Sequence, residues 1–290
     1  KGNNISKDLY LKEIEKKLKF FRKFKKEKWP PLETPNTRPN PFFMIGFPRS
    51  GTTLLDTILR SHPSIEVIEE KPMVDKLIYS LNELTENNFE NLKKIEIDQI
   101  KKIRNIYFKN LDTHIQNNHN SEIYIDKLPL NIINVGEIFR IFPKAKFIFS
   151  LRHPCDCVLS CFMQDFKLNN AMANFLNLKD SAKLYDSVMK LWIQYTSIFP
   201  INYHEVRYEN IISNFESTIK SVLDFLGLPW DRSVLEYYKT AKKRQQIKTP
   251  SYNQVIKPIY PEASGRWKMY KKQFTNIYPI LEPWIKKFNY

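Results

Sequence analysis

Short apolar runs alternate with amphipathic stretches along most of the chain, and this alternation predicts strands followed by helices. Strands are predicted from residue 42 and at residues 123–127, 146–152 and 204–208, and a further short extended segment is predicted at 65–70. Helices are predicted at residues 52–61, 131–142, 155–166 and 213–226, the last ended by Gly227. This order is typical of an α/β fold in which helices cover both faces of a parallel sheet.

The first 40 residues have a different pattern. Residues 6–28 place four apolar side chains, from Leu9 to Phe21, at roughly helical spacing among lysines, which predicts a basic amphipathic helix. Prolines between Pro30 and Pro41 then predict an extended linker. We therefore expect two parts: a helix with a proline-rich linker at residues 1–40, and the main α/β domain at residues 41–290.

The formal net charge of +15 is concentrated at the two ends of the chain. Residues 1–30 hold 11 Lys and Arg against 4 Asp and Glu, and residues 242–290 hold 11 against 2. Basic ends suit nucleic acid, a membrane surface or an anionic ligand. A general preference of this sequence for Lys, Asn and Ile explains the N-terminal excess equally well.

Composition also indicates the cellular compartment of the protein. No stretch approaches the ~20 apolar residues of a membrane span, and residues 1–24 contain no hydrophobic block of the kind found in signal peptides. The cysteines Cys155, Cys157 and Cys161 are odd in number and clustered, which fits a reducing compartment and buried packing better than a disulfide framework. We therefore expect a cytoplasmic protein without a transmembrane segment.

The most distinctive motif is the segment GFPRSGTT, which runs from Gly46 to Thr53 at the end of the first strand. It has the Gly-x-x-x-x-Gly spacing of a nucleotide-binding P-loop, but Thr52 stands where that motif requires lysine. A strand–loop–helix unit directs backbone N–H groups and a helix N-terminus at one bound anion. Because the lysine that reaches the β- and γ-phosphates is missing, the loop indicates a phosphate ester other than Mg-ATP.

Polar clusters follow four of the predicted strands: residues 49–53, Asp126-Lys127, Arg152-His153 and Arg207-Tyr208. The carboxyl ends of parallel strands meet at one edge of a sheet, so we expect these clusters to lie together. One arginine after a strand is often an ordinary surface residue. Four cationic clusters at one edge predict a site for a ligand with several anionic groups.

These residues and their order resemble the sulfotransferases that use 3′-phosphoadenosine 5′-phosphosulfate (PAPS), in particular the bacterial ones with tetratricopeptide repeats and the tyrosylprotein sulfotransferases. The similarity runs roughly from Pro41 to Trp267 in the blocks GFPRSGTTLLDTILRSHPSIEVIEEKP, YIDKLPLN, FPKAKFIFSLRHPCDCVLSCF, VRYENI and SYNQVIKPIYPEASGRWKMY. The resemblance implies a P-loop-like fold in a bacterial transferase. It also implies sulfuryl transfer from PAPS to an acceptor hydroxyl, with adenosine 3′,5′-bisphosphate as product and no metal requirement.

By position, the resemblance assigns the 5′-phosphosulfate loop to Arg49, Ser50, Gly51, Thr52 and Thr53. It assigns the 3′-phosphate to Arg152 and Ser160, and a nucleotide contact to Tyr208. Ser251 and Arg266 match residues that close over the cofactor. The related tyrosine enzymes carry Lys where this chain has Arg266, so the role of Arg266 stays open.

The resemblance makes Glu70 the catalytic base, which takes the proton of the acceptor hydroxyl during in-line transfer. Lys127 and Arg49 would stabilise the charge that develops on the leaving 5′-phosphate. From the residues alone, an ion pair of either glutamate with Lys71 is equally consistent, and Glu69 is the alternative base.

Other functions remain open at this point. One is a P-loop nucleotide kinase or related phosphotransferase, against which the missing lysine argues, and another is a non-enzymatic module that binds an anionic ligand through its basic ends. The five histidines have no metal-ligand spacing with the cysteines. His153 is consistent with a lining residue of the nucleotide site or with a polar residue at a helix start, of which the helix start is favoured. No specific nucleic-acid partner is expected. The acceptor, a protein tyrosine, a glycan or a small molecule, has no motif of its own.

Overall fold

The computed structural model describes residues 5–23, 38–115, 121–243 and 264–290 of the 290-residue chain. The strands of the described residues are Phe42–Gly46 (β1), Ile65–Glu69 (β2), Ile123–Lys127 (β3), Lys146–Leu151 (β4) and Asn202–Arg207 (β5). They form one sheet in the order β2-β3-β1-β4-β5, and every neighbouring pair is parallel. The predicted α/β fold is confirmed, and the extended segment at residues 65–70 is an edge strand.

Helices connect the strands and follow the last one. The α-helices are Lys7–Lys23 (α1), Thr52–Leu59 (α2), Met73–Thr85 (α3), Ile97–Asp112 (α4), Val135–Ile141 (α5), Pro154–Phe162 (α6), Leu178–Ile198 (α7), Tyr208–Ser213 (α8), Phe215–Leu226 (α9), Tyr237–Lys243 (α10), Lys271–Phe274 (α11) and Tyr278–Lys287 (α12). Shorter 3₁₀ segments are Phe89–Lys94, Pro129–Asn134, Met172–Leu176, Arg232–Glu236 and Arg266–Tyr270. Among the described helices, none is both long enough and apolar enough to cross a bilayer.

The sheet is buried on both faces, as its nearly continuous apolar strands require. In β1, Phe43 and Ile45 join one hydrophobic cluster, while Met44 joins a second cluster on the opposite face. In β4 the same alternation assigns Phe149 to the first cluster and Ile148 to the second. Polar chemistry is therefore confined to the ends of these strands.

The strand order changes direction at β1. From β1 the chain builds β2 and β3 on one side and then β4 and β5 on the other. The helices that follow β1 and β4 lie on opposite faces, since α2 contributes to one hydrophobic cluster and α6 to the other. In open α/β sheets, ligands bind at the carboxyl ends of strands at such a switch point.

Helix α1 packs against α7 and belongs to the core. Ile14 and Phe21 are fully buried, and the Phe21 ring meets the Tyr195 ring edge-on with centroids 4.9 Å apart. Lys17 on the same face is also buried, and its Nζ lies 2.6 Å from Glu137 Oε1. The division of the chain at residue 40 stays a prediction.

Three helical regions differ from their predicted form. Residues 131–142 divide into a 3₁₀ segment and α5, and a Cβ at Gly136 would lie 2.6 Å from Tyr195 Cε1, so this residue permits close packing. Helix α6 ends at Phe162, four residues earlier than predicted. Helix α7 has no counterpart among the predicted helices, and it buries Trp192 beside Phe149.

Candidate functional site

The loop between β1 and α2 has the backbone of an anion-binding turn. Arg49 has φ 69° and Gly51 has φ 98°, so two left-handed residues flank Ser50. The Ser50 N–H donates to the Phe47 carbonyl at 3.1 Å, which closes the turn. Alternation of right- and left-handed backbone is typical of concave sites that bind anions.

Two glycines allow the loop to pack closely against its neighbours. A Cβ at Gly46 would lie 2.6 Å from the carbonyl oxygen of Ser150 on β4. A Cβ at Gly51 would lie 2.7 Å from Cδ2 of Tyr208, at the start of α8. The loop is therefore held between β4 and α8, where a side chain at either position would displace it.

The loop also carries polar groups that suit a bound anion. Ser50 is 2% exposed, and its Oγ has no hydrogen-bond partner among the described residues. The first N–H groups of α2, beginning at Thr52 and Thr53, have no intrahelical acceptors by the geometry of a helix. Buried polar groups without partners are uncommon, and a phosphate or sulfate ester would satisfy them.

The arginine pocket, which we define as Arg49, Arg152, Ser160 and Tyr208, lies where β1, β4 and β5 end. Arg49 Nε donates to Ser160 Oγ on α6 at 2.9 Å. Arg152 follows β4, and its Nη1 donates to the Arg49 carbonyl at 3.1 Å. The Arg152 Cζ also lies 4.6 Å from the centre of the Tyr208 ring. Four residues predicted for the nucleotide site are thus in mutual contact.

The arginine pocket brings two positive charges together. Burial lowers the pKa of Arg49, and the nearby charge of Arg152 lowers it further. Two adjacent guanidinium groups and a hydroxyl form a suitable site for a phosphate.

The lysine pocket, defined as Lys127, Asp56, Glu69 and Glu70, lies where β2 and β3 end. Lys127 is fully buried, and its Nζ lies 2.8 Å from Glu69 Oε1 and 3.1 Å from Glu70 Oε1. A third carboxylate oxygen, Asp56 Oδ2 on α2, lies 3.9 Å from the same Nζ. The predicted base, its alternative and the predicted lysine are therefore in one ion cluster.

The backbone turns sharply at Glu70. Its φ of 50° is unusual for a residue with a side chain, and such conformations cluster at functional sites. The Glu70 N–H donates to the Lys127 carbonyl at 2.8 Å, which continues the β2–β3 pairing by one residue. The Glu70 side chain is 44% exposed, whereas that of Glu69 is 13% exposed. Glu70 is therefore the carboxylate of the pair that reaches solvent.

Charge within the lysine pocket is balanced by the protein itself. Burial opposes the charge of Lys127, but Asp56, Glu69 and Glu70 outweigh it and raise the pKa of this lysine. Asp56 in turn pairs with Arg60, one helical turn further along α2. Sequence reasoning missed both residues, although an acid and a base four positions apart in an otherwise apolar helix were a detectable signal.

Asp126, next to Lys127 on β3, faces the opposite side of the sheet. It is 1% exposed, and its Oδ2 accepts a hydrogen bond from the Tyr107 hydroxyl of α4 at 3.2 Å. Burial raises the pKa of Asp126 to about 8, against the opposing effect of the Tyr107 hydrogen bond. Burial therefore favours the neutral form of Asp126, which anchors α4 below the lysine pocket.

The C-terminal segment is fastened beside the arginine pocket by Asp156, which sequence reasoning missed. Asp156 Oδ2 accepts the Gly265 N–H at 2.7 Å, and Oδ1 accepts the Trp267 N–H at 2.9 Å. Arg266 lies between these anchored residues and is exposed. Ser251, predicted to close over the cofactor, lies outside the described residues.

His153 begins α6, as predicted from its position. Its Nδ1 accepts the Cys155 N–H at 3.2 Å, and its ring stacks on Trp267 with centroids 5.2 Å apart. The three cysteines are buried, and the Cys161 Sγ donates to the Pro48 carbonyl of the phosphate loop at 3.3 Å. Burial raises the pKa of Cys161 well above its usual range, so its thiol is a packing group.

Comparison with known protein sequences identifies related proteins. A model of the Sulfotransferase family matches residues 41–232. An uncharacterized protein of Aquifex aeolicus is 31% identical over 254 residues, which cover 85% of this chain and 33% of that protein. A protein-tyrosine sulfotransferase of Drosophila melanogaster is 23% identical over 239 residues, which cover 78% of this chain and 46% of the relative. The chain thus spans less than half the length of these two relatives.

Two solved structures share the fold. The sulfotransferase domain of the Synechococcus PCC 7002 olefin synthase superposes with a TM-score of 0.54 at 19% identity, covering 83% of this chain and 91% of that domain. The sulfotransferase domain from the curacin biosynthetic pathway superposes with a TM-score of 0.52 at 18% identity, covering 80% of this chain and 91% of that domain. At these identities the similarity shows a common architecture.

Proposed function

The chain belongs to the sulfotransferase family, and on this basis we propose that it transfers a sulfuryl group from PAPS to the hydroxyl of an acceptor. The observation that carries the proposal is the pairing of two pockets at one edge of the sheet. The arginine pocket supplies cationic groups at the phosphate loop, and the lysine pocket supplies a carboxylate that reaches solvent. An anionic nucleotide donor and an acceptor that loses a proton need these two sets of groups.

The donor nucleotide would be held by the loop and the arginine pocket. Ser50, Thr52 and Thr53 offer hydroxyl and N–H donors to the 5′-phosphosulfate, and the buried Ser50 Oγ gains a partner. Arg152 and Ser160 would bind the 3′-phosphate. These residues therefore fit a nucleotide with phosphate groups at both ends of its ribose.

The lysine pocket would carry out the proton chemistry. The acceptor oxygen forms a bond to sulfur as its proton passes to Glu70. The bond from sulfur to the bridging oxygen breaks, and its electron pair leaves on the 5′-phosphate. Lys127 would stabilise that oxygen as its negative charge grows. Because most of the work is positioning and charge stabilisation, residues fixed at strand ends suit it.

The chain supplies the positive charge that this transfer needs. Arg49 and Arg152 lie beside the loop, and Lys127 lies at the neighbouring strand end. We therefore expect transfer to proceed with PAPS in the presence of a chelator, whereas a kinase of the P-loop type would require magnesium with ATP.

The acceptor class is the open part of the proposal. Several curated relatives are named protein-tyrosine sulfotransferases, which makes the hydroxyl of a protein tyrosine the first class to test. Glycans and small hydroxyl compounds are the alternatives. Helix α3 begins three residues after Glu70, so α3 and α4 are placed to form a wall of the acceptor pocket.

Incubation with sulfur-labelled PAPS and a panel of these acceptors, with EDTA present, tests the proposal. We expect label to move to one acceptor class and adenosine 3′,5′-bisphosphate to accumulate in equal amount. A protein that releases no product with any acceptor, yet transfers phosphate from Mg-ATP, would contradict it.

A further inference from the structure

The two adjacent glutamates of the lysine pocket occupy different positions. In the β2–β3 register Glu69 lies opposite Lys127, so its contact with the lysine is part of regular strand pairing. Glu70 lies beyond the end of β2, where the left-handed backbone turns the chain away. The Glu69 side chain is mostly buried, whereas that of Glu70 is substantially exposed. The structure thus provides one fixed carboxylate and one accessible carboxylate for the same lysine.

Asp56 adds a third carboxylate from a different element. It is fully buried on α2, and its Oδ2 lies 3.9 Å from Lys127 Nζ. Arg60 pairs with Asp56 and also donates from Nη2 to the Val67 carbonyl of β2 at 2.9 Å. This chain of contacts connects α2 to β2 and fixes the carboxylate that faces the lysine.

We propose that Glu69 and Asp56 are positioning residues that hold Lys127 at the end of β3, so that Glu70 alone exchanges its lysine contact for the acceptor proton. This inference rests on the proposed function and assigns separate roles to the two glutamates. Its physical reason is that a base which is also the sole partner of a buried lysine would leave that lysine unpaired when it accepts a proton. An unpaired buried charge is costly, and Glu69 and Asp56 avoid that cost.

The charges around Lys127 determine how each substitution acts. Asp56 faces it from α2 and is itself paired with Arg60, which has Glu66 of β2 nearby; Glu69 and Glu70 face it from the end of β2. Asp126, its neighbour on β3, is turned to the opposite face with Tyr107. Loss of the charge of Glu69 removes a repulsion from Glu70 and leaves Lys127 closer to full pairing with it. It also lowers the pKa of Lys127, as does loss of the charge of Asp56, because both carboxylates raise that pKa in the wild-type chain.

The test compares Glu69→Gln, Glu70→Gln and Asp56→Asn with wild type in the presence of PAPS and whichever acceptor of the panel takes up label from wild type. The matched control is Glu122→Gln, which removes a glutamate charge immediately before β3, at the end far from the pocket, where Glu122 pairs with Ser64. The readouts are kcat across pH, and affinity for adenosine 3′,5′-bisphosphate by calorimetry.

We expect Glu69→Gln to keep nucleotide affinity and at least about a tenth of wild-type kcat near neutral pH, and to lose kcat at alkaline pH. Asp56→Asn should lose kcat at alkaline pH as well, because each of the two substitutions removes a carboxylate that raises the pKa of Lys127. A purely structural role would change stability without moving the alkaline limb of the kcat profile. If Asp56→Asn does not fold, the pH profile and nucleotide affinity of Glu69→Gln alone test the inference.

Two results would overturn the inference. Loss of turnover in Glu69→Gln as complete as in Glu70→Gln, with nucleotide binding intact, would make Glu69 the base. A Glu69→Gln profile that superimposes on that of Glu122→Gln would mean that Glu69 does not position the lysine. Both results presuppose an active wild type, so they are distinct from failure of the proposed function, in which wild type neither binds the nucleotide nor transfers sulfate.

Discussion

The arginine pocket and the lysine pocket are both cationic sites at the same edge of the sheet, but they handle charge in opposite ways. In the arginine pocket two like charges lie side by side, and the charge of Arg152 adds to the effect of burial in lowering the pKa of Arg49. Lys127 contacts three carboxylates. Like charges therefore meet in one pocket, whereas opposite charges are paired in the other.

This difference indicates that the two pockets have separate functions in the proposed reaction. A site that must bind a charged nucleotide benefits from two cations side by side, because both can bind one anion, which also relieves their mutual repulsion. A site that must take a proton benefits from a carboxylate held near a cation, because the carboxylate stays ionised until the acceptor arrives. Substitutions in the two pockets should therefore affect different kinetic constants.

Glu70→Gln should give the largest change. The amide keeps the shape of the side chain but cannot accept the proton, so we expect kcat to fall by ~10²–10⁴ with nucleotide affinity unchanged. Steady-state kinetics with saturating PAPS, together with calorimetry, measures both. Full turnover in a variant that binds the nucleotide would remove Glu70 from its role, and Glu122→Gln controls for the loss of one negative charge.

Arg152→Ala should produce the complementary result. Loss of a charged hydrogen-bonding partner typically costs about 1.5–3 kcal/mol, so affinity for adenosine 3′,5′-bisphosphate should fall ~10–100-fold while kcat at saturating PAPS changes little. Arg38, which is exposed and paired with Asp112, provides the control Arg38→Ala. Unchanged affinity in Arg152→Ala would place the 3′-phosphate elsewhere.

Asp126→Asn tests how the buried carboxyl group below the lysine pocket affects the free energy of unfolding. The pKa of Asp126 rises from 3.8 to about 8 on folding, so wild type loses stability as pH rises from about 4 to about 8, where only the unfolded chain ionises. The amide does not ionise and still accepts the Tyr107 hydrogen bond. The free energy of unfolding of the variant, relative to that of wild type, should therefore increase by on the order of a few kcal/mol as pH rises from 5 to 9. Urea unfolding at both pH values measures this, and a difference independent of pH would contradict it.

Ser160→Ala should give the smallest effect. It removes the hydroxyl that accepts from Arg49 Nε, and a hydrogen bond of this kind is worth about 0.5–1.5 kcal/mol, so nucleotide affinity should fall ~2–10-fold. Ser197→Ala, on the exposed side of α7, is the matched control. A loss as large as that of Arg152→Ala would show that Ser160 organises the whole arginine pocket.

The sequence was sufficient to predict the features that depend on local pattern. Apolar runs before Gly46, Lys127 and Arg152 predicted strands, and parallel pairing then required their polar ends to meet. The contacts among Arg49, Arg152 and Ser160 agree with that prediction. The roles of these residues stay predictions until the substitutions above are measured.

Features that depend on packing between distant elements could not be predicted from the sequence. The segment at residues 65–70 contains Glu66 and Glu69, and these charged residues made a strand harder to predict there. The pairing of β2 with β3, which includes both glutamates, became clear only in the folded chain. Asp56 gave no indication of its lysine partner, which lies 71 positions away. Helix α7 carries charged residues among its apolar ones, and its burial against β4 became clear only in the folded chain.

The most direct test of the two-pocket account is calorimetric titration of the wild-type chain with adenosine 3′,5′-bisphosphate in EDTA, beside a titration with Mg-ATP. The account predicts that the bisphosphate binds tightly without magnesium, that Arg152→Ala weakens this binding, and that Glu70→Gln does not. Preferential binding of Mg-ATP, or equal effects of the two substitutions on affinity, would contradict it.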